Sequence, residues 1–87
     1  MARGIARRGA DCAGGVIVSG SSNVIANGCG VARIGDGVAG HGRDQHAGPV
    51  MVSGSGNVIV NGRPTCRQGD VASCGHPSSG SGNVFVN

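Results

Sequence analysis

Ser19-Gly20-Ser21-Ser22-Asn23-Val24-Ile25-Ala26-Asn27-Gly28 occurs in three versions along the 87-residue chain. It returns as Ser53-Gly54-Ser55-Gly56-Asn57-Val58-Ile59-Val60-Asn61-Gly62 and again as Ser79-Gly80-Ser81-Gly82-Asn83-Val84-Phe85-Val86-Asn87. A second motif interleaves with it: Ile5-Ala6-Arg7-Arg8-Gly9, then Val31-Ala32-Arg33-Ile34-Gly35-Asp36, then Thr65-Cys66-Arg67-Gln68-Gly69-Asp70. The second motif is spaced 26 and then 34 residues, the first 34 and then 26. Both spacings follow if the middle one of three units carries an eight-residue insertion. Internal repetition at this period marks a fold assembled from equal supersecondary parts. Three such parts are too few for an open solenoid, which needs stacked neighbours and caps, so three-fold wrapping about an axis is the expected arrangement.

Each unit reads as short β runs between turns. Val16-Ile17-Val18 leads to the Ser-Gly-Ser-Ser turn, and Asn23-Val24-Ile25-Ala26 leads to Asn27-Gly28. Asn-Gly is a strong hairpin signal, because both central residues of a type I′ turn need positive φ. Val31-Ala32-Arg33-Ile34 follows and ends at the Gly35-Asp36 corner. Unit two repeats the pattern with Val50-Met51-Val52, Val58-Ile59-Val60 and Thr65-Cys66-Arg67-Gln68, whereas the first corner reads Gly9-Ala10 and lacks the aspartate in that place.

Composition agrees with a small all-β body. Nineteen glycines and three prolines make about a quarter of the chain, twelve valines and five isoleucines supply the strands, and Leu, Lys, Glu, Trp and Tyr are absent. Glycine at equivalent turn positions is turn chemistry rather than disorder. One domain spans residues 1–87, with too few large side chains for a deep core, so a metal, a disulfide or a partner is expected to supply stability. Seven arginines against four aspartates give a net charge of +3. Arg3, Arg7 and Arg8 cluster at the start, the other four arginines are scattered, and Phe85 is the single aromatic, so there is neither a basic stripe nor a stacking platform for bases, which argues against nucleic-acid binding. No run approaches a membrane helix and no apolar signal-peptide core follows the basic start, so synthesis in the cytosol with reduced cysteines is expected.

The ligand-type residues fall in equivalent loops. The middle insertion holds His41 and His46, the first loop reads Asp11-Cys12-Ala13-Gly14-Gly15, and the third reads Ser73-Cys74-Gly75-His76-Pro77. Closure about an axis brings these loops to one end, making Cys12, His41, His46, Cys74 and His76 a pool of five donors. Four of them would complete a closed tetrahedral zinc site, structural rather than catalytic. Cys29 and Cys66 lie outside the loops and read as turn or packing residues, with a disulfide between them the lesser alternative. A thiol–imidazole nucleophile is disfavoured. The chain has no Glu, no bulk to wall a pocket, and no helix N-terminus to lower a thiol pKa or hold an oxyanion.

With Val31-Ala32-Arg33-Ile34-Gly35-Asp36, its Cys/His loop and the stretch Val52-Ser53-Gly54-Ser55-Gly56-Asn57-Val58-Ile59-Val60-Asn61-Gly62-Arg63-Pro64, the chain resembles the PAAR-repeat proteins. The naming Pro-Ala-Ala-Arg element is represented by Gly30-Val31-Ala32-Arg33 and Pro64-Thr65-Cys66-Arg67. The resemblance spans all three units. It implies a small conical, pseudo-three-fold arrangement of β-hairpins with zinc, ahead of iron, near the apex. It also implies a base seated on a trimeric β-helical spike, of the VgrG type in type VI secretion or of a contractile phage tail. His41 and His46 match the family's paired histidines, and Cys74 matches its cysteine in the last loop. The first loop carries Cys12 where the family usually has His, so the implied set is Cys12, His41, His46 and Cys74, with His76 the alternative to Cys12.

The implied function is a non-enzymatic, metal-stabilised tip, one copy per spike trimer, that helps pierce a target cell envelope. Contact with the target membrane would be transient, and effectors are possible further partners. The other reading is a spike-docking adaptor that recruits effectors non-covalently. The protein would be made in the cytoplasm and then ride at the tip of a secretion-system spike or virion tail towards the periplasm, a target cell or the exterior.

Overall fold

The computed structural model describes residues 3–42 and 47–87. Its strands are β1 (Arg3–Gly4), β2 (Cys12–Ala13), β3 (Gly15–Val16), β4 (Ile25–Ala26), β5 (Cys29–Gly30), β6 (Ile59–Val60), β7 (Arg63–Pro64) and β8 (Phe85–Val86). No helix occurs among the described residues. The fold is all-β.

Two hairpins form where the Asn-Gly pairs stand. Asn27 and Gly28 have φ of 53° and 79°, and Asn61 and Gly62 have the same values. Positive φ at both central positions turns the chain in two residues, so Ala26 faces Cys29 and Val60 faces Arg63. The third copy ends at Asn87, and its partner strand comes from the other end of the chain. β8 pairs antiparallel with β1, with Gly4 opposite Phe85 in the register that sets Gly30 opposite Ile25 and Pro64 opposite Ile59. The two chain ends thus build the third hairpin between them and close the ring.

A triangle of backbone hydrogen bonds joins the units. The Ala6 N–H donates to the Cys66 carbonyl at 3.0 Å, the Cys66 N–H to the Ala32 carbonyl at 2.9 Å, and the Ala32 N–H to the Ala6 carbonyl at 2.9 Å. All three residues are fully buried. The bridges Ile5–Arg67, Arg7–Val31 and Arg33–Thr65 flank the triangle. Small side chains on the axis allow this approach, and burial leaves the backbone groups no partner but one another. The β runs of three and four residues read from the sequence form ladders only two residues long, supplemented by single bridges. Wrapping about the axis makes each segment exchange one neighbour for another after a single pair.

The serine-rich turns seat the hairpins. The buried Ser21 Oγ accepts from the backbone N–H groups of Asn23 and Val24, at 3.2 and 2.9 Å, and Ser55 and Ser81 do the same in their units. Gly30 must be glycine, because a Cβ there would stand 2.2 Å from the Ser21 carbonyl oxygen.

Beyond the triangle each unit turns at a buried Arg–Asp corner. Asp36 Oδ2 accepts from the Arg33 backbone N–H at 2.7 Å and from its Nε at 2.9 Å, and Asp70 does the same for Arg67. The first unit has this corner too. Asp11, one residue later than its counterparts, accepts from the Arg7 backbone N–H and Nε at 2.9 and 2.7 Å. The extra residue, Ala10, hides the equivalence in the sequence without altering the clamp. Each aspartate also accepts from a serine hydroxyl distant in sequence: Asp11 from Ser79, Asp36 from Ser19 and Asp70 from Ser53. Two buried apolar clusters result. One, beside the hairpins, contains Ile5, Ala26, Val31 and Val60. The other runs from the triangle to Ile17, Val38, Met51 and Cys74.

Candidate metal centre

Each unit leads from hairpin through triangle and corner into its loop, and then returns to the next hairpin, so loops and hairpins lie on opposite sides of the triangle. On the loop side, His41, Cys74 and His76 come together with one ligand atom each, all within 4.8 Å of one another. The His41 Nε2 lies 2.9 Å from the His76 Nδ1, and the Cys74 Sγ lies 3.6 and 3.4 Å from those same two nitrogens. The rings are tilted by 52°, with centroids 4.8 Å apart. Cys74 is buried and both histidines are partly buried.

The donor set fits a metal ion. Zinc bound at about 2.0–2.1 Å to nitrogen and about 2.3 Å to sulfur, in tetrahedral geometry, separates its ligands by about 3.3 Å (N···N) and about 3.6 Å (N···S). The three distances here fall close to those tetrahedral edges. His41 is also oriented for the task. Its Nδ1 lies 3.1 Å from the Ala39 carbonyl. Donation of the Nδ1 proton to that oxygen selects the tautomer whose Nε2 lone pair faces the cluster, the usual arrangement behind a ligating histidine.

The five sequence candidates are placed as follows. His41, Cys74 and His76 meet; His46 lies outside the described residues; Cys12 is exposed and is not among the three. Strand alternation explains Cys12. Cys12 sits opposite Val16 in the β2–β3 hairpin and the next residue, Ala13, is fully buried, so period two turns Cys12 outward. The first loop instead reaches the donors through Gly14, a residue no spacing rule would have selected.

The other two cysteines are elsewhere. Cys29 is half-buried in β5, Cys66 is buried in the triangle, and no disulfide joins them. Burial pushes the Cys66 thiol up to about 12, and the nearby Asp70 and Asp36 add to this, so it stays protonated and unreactive. Asp36 and Asp70 are structural. Burial works against their charge, but hydrogen bonds from the side chains and backbones of Arg33 and Arg67 outweigh it and hold both carboxyls below the usual carboxylate range. The arginines are raised in turn, first by the hydrogen bond to the aspartate.

Three wrapped units with this donor cluster match a known family over two overlapping segments, residues 10–75 and 39–87, as a PAAR motif. The chain belongs to the PAAR motif family. A comparison with curated proteins found no match. PAAR proteins are spike-tip-type proteins of secretion systems and phage tails, structural rather than enzymatic, and typically sit on spike proteins. That places a secretion-system spike or a tail as the family's setting. The His41–Cys74–His76 group is one that could hold a metal in a PAAR protein.

Proposed function

We propose that this PAAR protein is a metal-clamped tip that caps a trimeric spike, one copy per trimer, and helps drive it through a target cell envelope. The observation that carries this reading is the closed ring itself. One chain presents three equivalent hairpins, and the equivalent residues Ile25, Ile59 and Phe85 are all more than half exposed. Exposed large apolar side chains at matching places mark a surface that is covered in use, and a pseudo-three-fold surface is complementary to a three-fold partner. Open strand edges at the hairpins would extend the β-structure of the spike.

At the opposite end the ion would be held by His41, Cys74 and His76, with His46 as the fourth ligand. Such an ion supplies stability by tying together loops that have little core beneath them. Zinc suits the mixed imidazole–thiolate set. The reading is non-enzymatic, in keeping with the structural character of the PAAR family.

The test is to mix the chain with the trimeric spike from its own system and measure the mass of the complex by light scattering after size exclusion. One chain per three spike chains is expected, and Phe85→Asp combined with Ile59→Asp should abolish it. Absence of a complex with the parent protein would overturn the capping role. For the metal, the parent should hold one zinc by elemental analysis, and His46→Ala should weaken that binding.

A further inference from the structure

We propose that Gly14 is the residue that allows the two imidazoles to converge, so that the first loop contributes space to the metal centre rather than a ligand. The proposal rests on reading His41, Cys74 and His76 as metal ligands.

Gly14 stands at the turn between β2 and β3 with φ of +88°. A Cβ at this position would lie 2.2 Å from the His76 Nδ1 and 2.6 Å from the His41 Nε2. These are the two nitrogens that face each other at 2.9 Å. Both separations fall below the 3.0 Å that Cβ contacts respect. A methyl group would therefore be wedged between the donor atoms themselves.

The His41 ring has little freedom to retreat. His41 is tied through its Nδ1 to the Ala39 carbonyl, and that carbonyl passes so close to Gly15 that a Cβ there would stand 2.3 Å from its oxygen. The backbone that carries His76 is fixed as well, since the Ala72 N–H donates to the His76 carbonyl at 3.0 Å. The Gly14-Gly15 pair thus lets the backbone of the first loop lie flat against the donors brought by the other two loops. A ligand side chain from the first loop would need the space that this backbone occupies.

The experiment compares variants of the full chain. Gly14→Ala places a methyl group among the donors. Gly9→Ala imposes a comparable positive φ (+77°) with no atom within 4 Å of the new Cβ, and so controls for backbone strain. Cobalt(II) alone is titrated into each protein, followed by its visible d–d bands and thiolate-to-metal charge transfer, and zinc content is measured in parallel. Gly14→Ala should weaken cobalt binding by about 100-fold or more, at the upper end of what residues supporting a metal site contribute, while Gly9→Ala titrates like the parent.

Parent-like cobalt binding by Gly14→Ala overturns the proposal. His41→Ala tests the underlying assignment separately: if it keeps the cobalt spectrum, the ligand reading fails, whatever Gly14→Ala does. If Gly14→Ala does not fold, the same change is made in His41→Ala/His76→Ala, which lacks both clashing rings. Amide protection at Ala32 and Cys66 equal to that of His41→Ala/His76→Ala with Gly14 intact supports steric exclusion, and a further loss of protection overturns it.

Discussion

The hairpin end and the loop end of this molecule are built from the same three units but obey different rules. At the hairpin end the copies do the same thing: three turns seated on Ser21, Ser55 and Ser81, three paired strands, three exposed apolar side chains. At the loop end the copies do different things, one loop bringing His41, another Cys74 and His76, and the third a glycine. Identical segments related by rotation satisfy one another's backbone groups without any special residue. A donor cluster of two imidazoles and one thiol cannot be built from three identical loops, and here the loops differ in the residues they bring. The triangle and the Arg–Asp corners connect the two regimes, with Arg7 and Arg33 reaching the turn residues Asn27 and Asn61 and the triangle sharing a buried cluster with Cys74.

The largest expected effect comes from stripping the loop end. Chelation of the metal, or His76→Ala, should lower the melting temperature by at least about 15 °C, since about 1 kcal/mol moves a domain of this size by roughly 4–8 °C and a structural zinc contributes several kcal/mol. Calorimetry checks this. Protection of the Ala32 and Cys66 amides should survive at lower temperature if the hairpin end folds independently of the ion.

Next comes the layer between. Asp36→Ala leaves the Arg33 guanidinium without its buried partner and should destabilise by about 3 kcal/mol, read as a shift in the urea midpoint.

The same clamps set an acid limit. The folded pKa values of Asp36 and Asp70 lie below the ordinary carboxylate value. As pH falls through about 4 the unfolded chain therefore takes up protons that the folded chain refuses. Stability from these pairs is present above that pH and is lost on descent through the depressed folded values. Urea midpoints recorded from pH 5 to 2.5, below the titration range of the histidines, should fall steeply in the parent and less so in Asp36→Asn/Asp70→Asn.

A smaller change tests the hairpin end alone. Asn27→Ala removes a residue tolerant of positive φ, together with its hydrogen bonds to Arg7 and Asn83, and should cost about 1 kcal/mol without altering metal content. Cys12→Ser should change neither stability nor metal content, which separates the exposed thiol from the donor cluster.

Much of this contrast was legible in the residues. The Asn-Gly pairs specify their turns through φ alone, and the 26/34 spacing specifies three units with a middle insertion. Local conformational preference and repetition are properties of short segments, so the sequence determines them without reference to the fold. Three features were not legible for the opposite reason. The pairing of β1 with β8 joins the two ends of the chain, and no local signal marks a partner so distant. The first corner is displaced by one residue, so alignment missed Asp11 although the clamp is intact. Whether Cys12 or His76 joins the donors depends on which side of a two-residue strand faces inward, and a one-residue step reverses that choice. The sequence by itself determined the turns, the number of units and the pool of donors. Only the tertiary structure decided the closure of the ring, which donors meet, and that a glycine stands between them, because these depend on distances set by the packing of all three units at once.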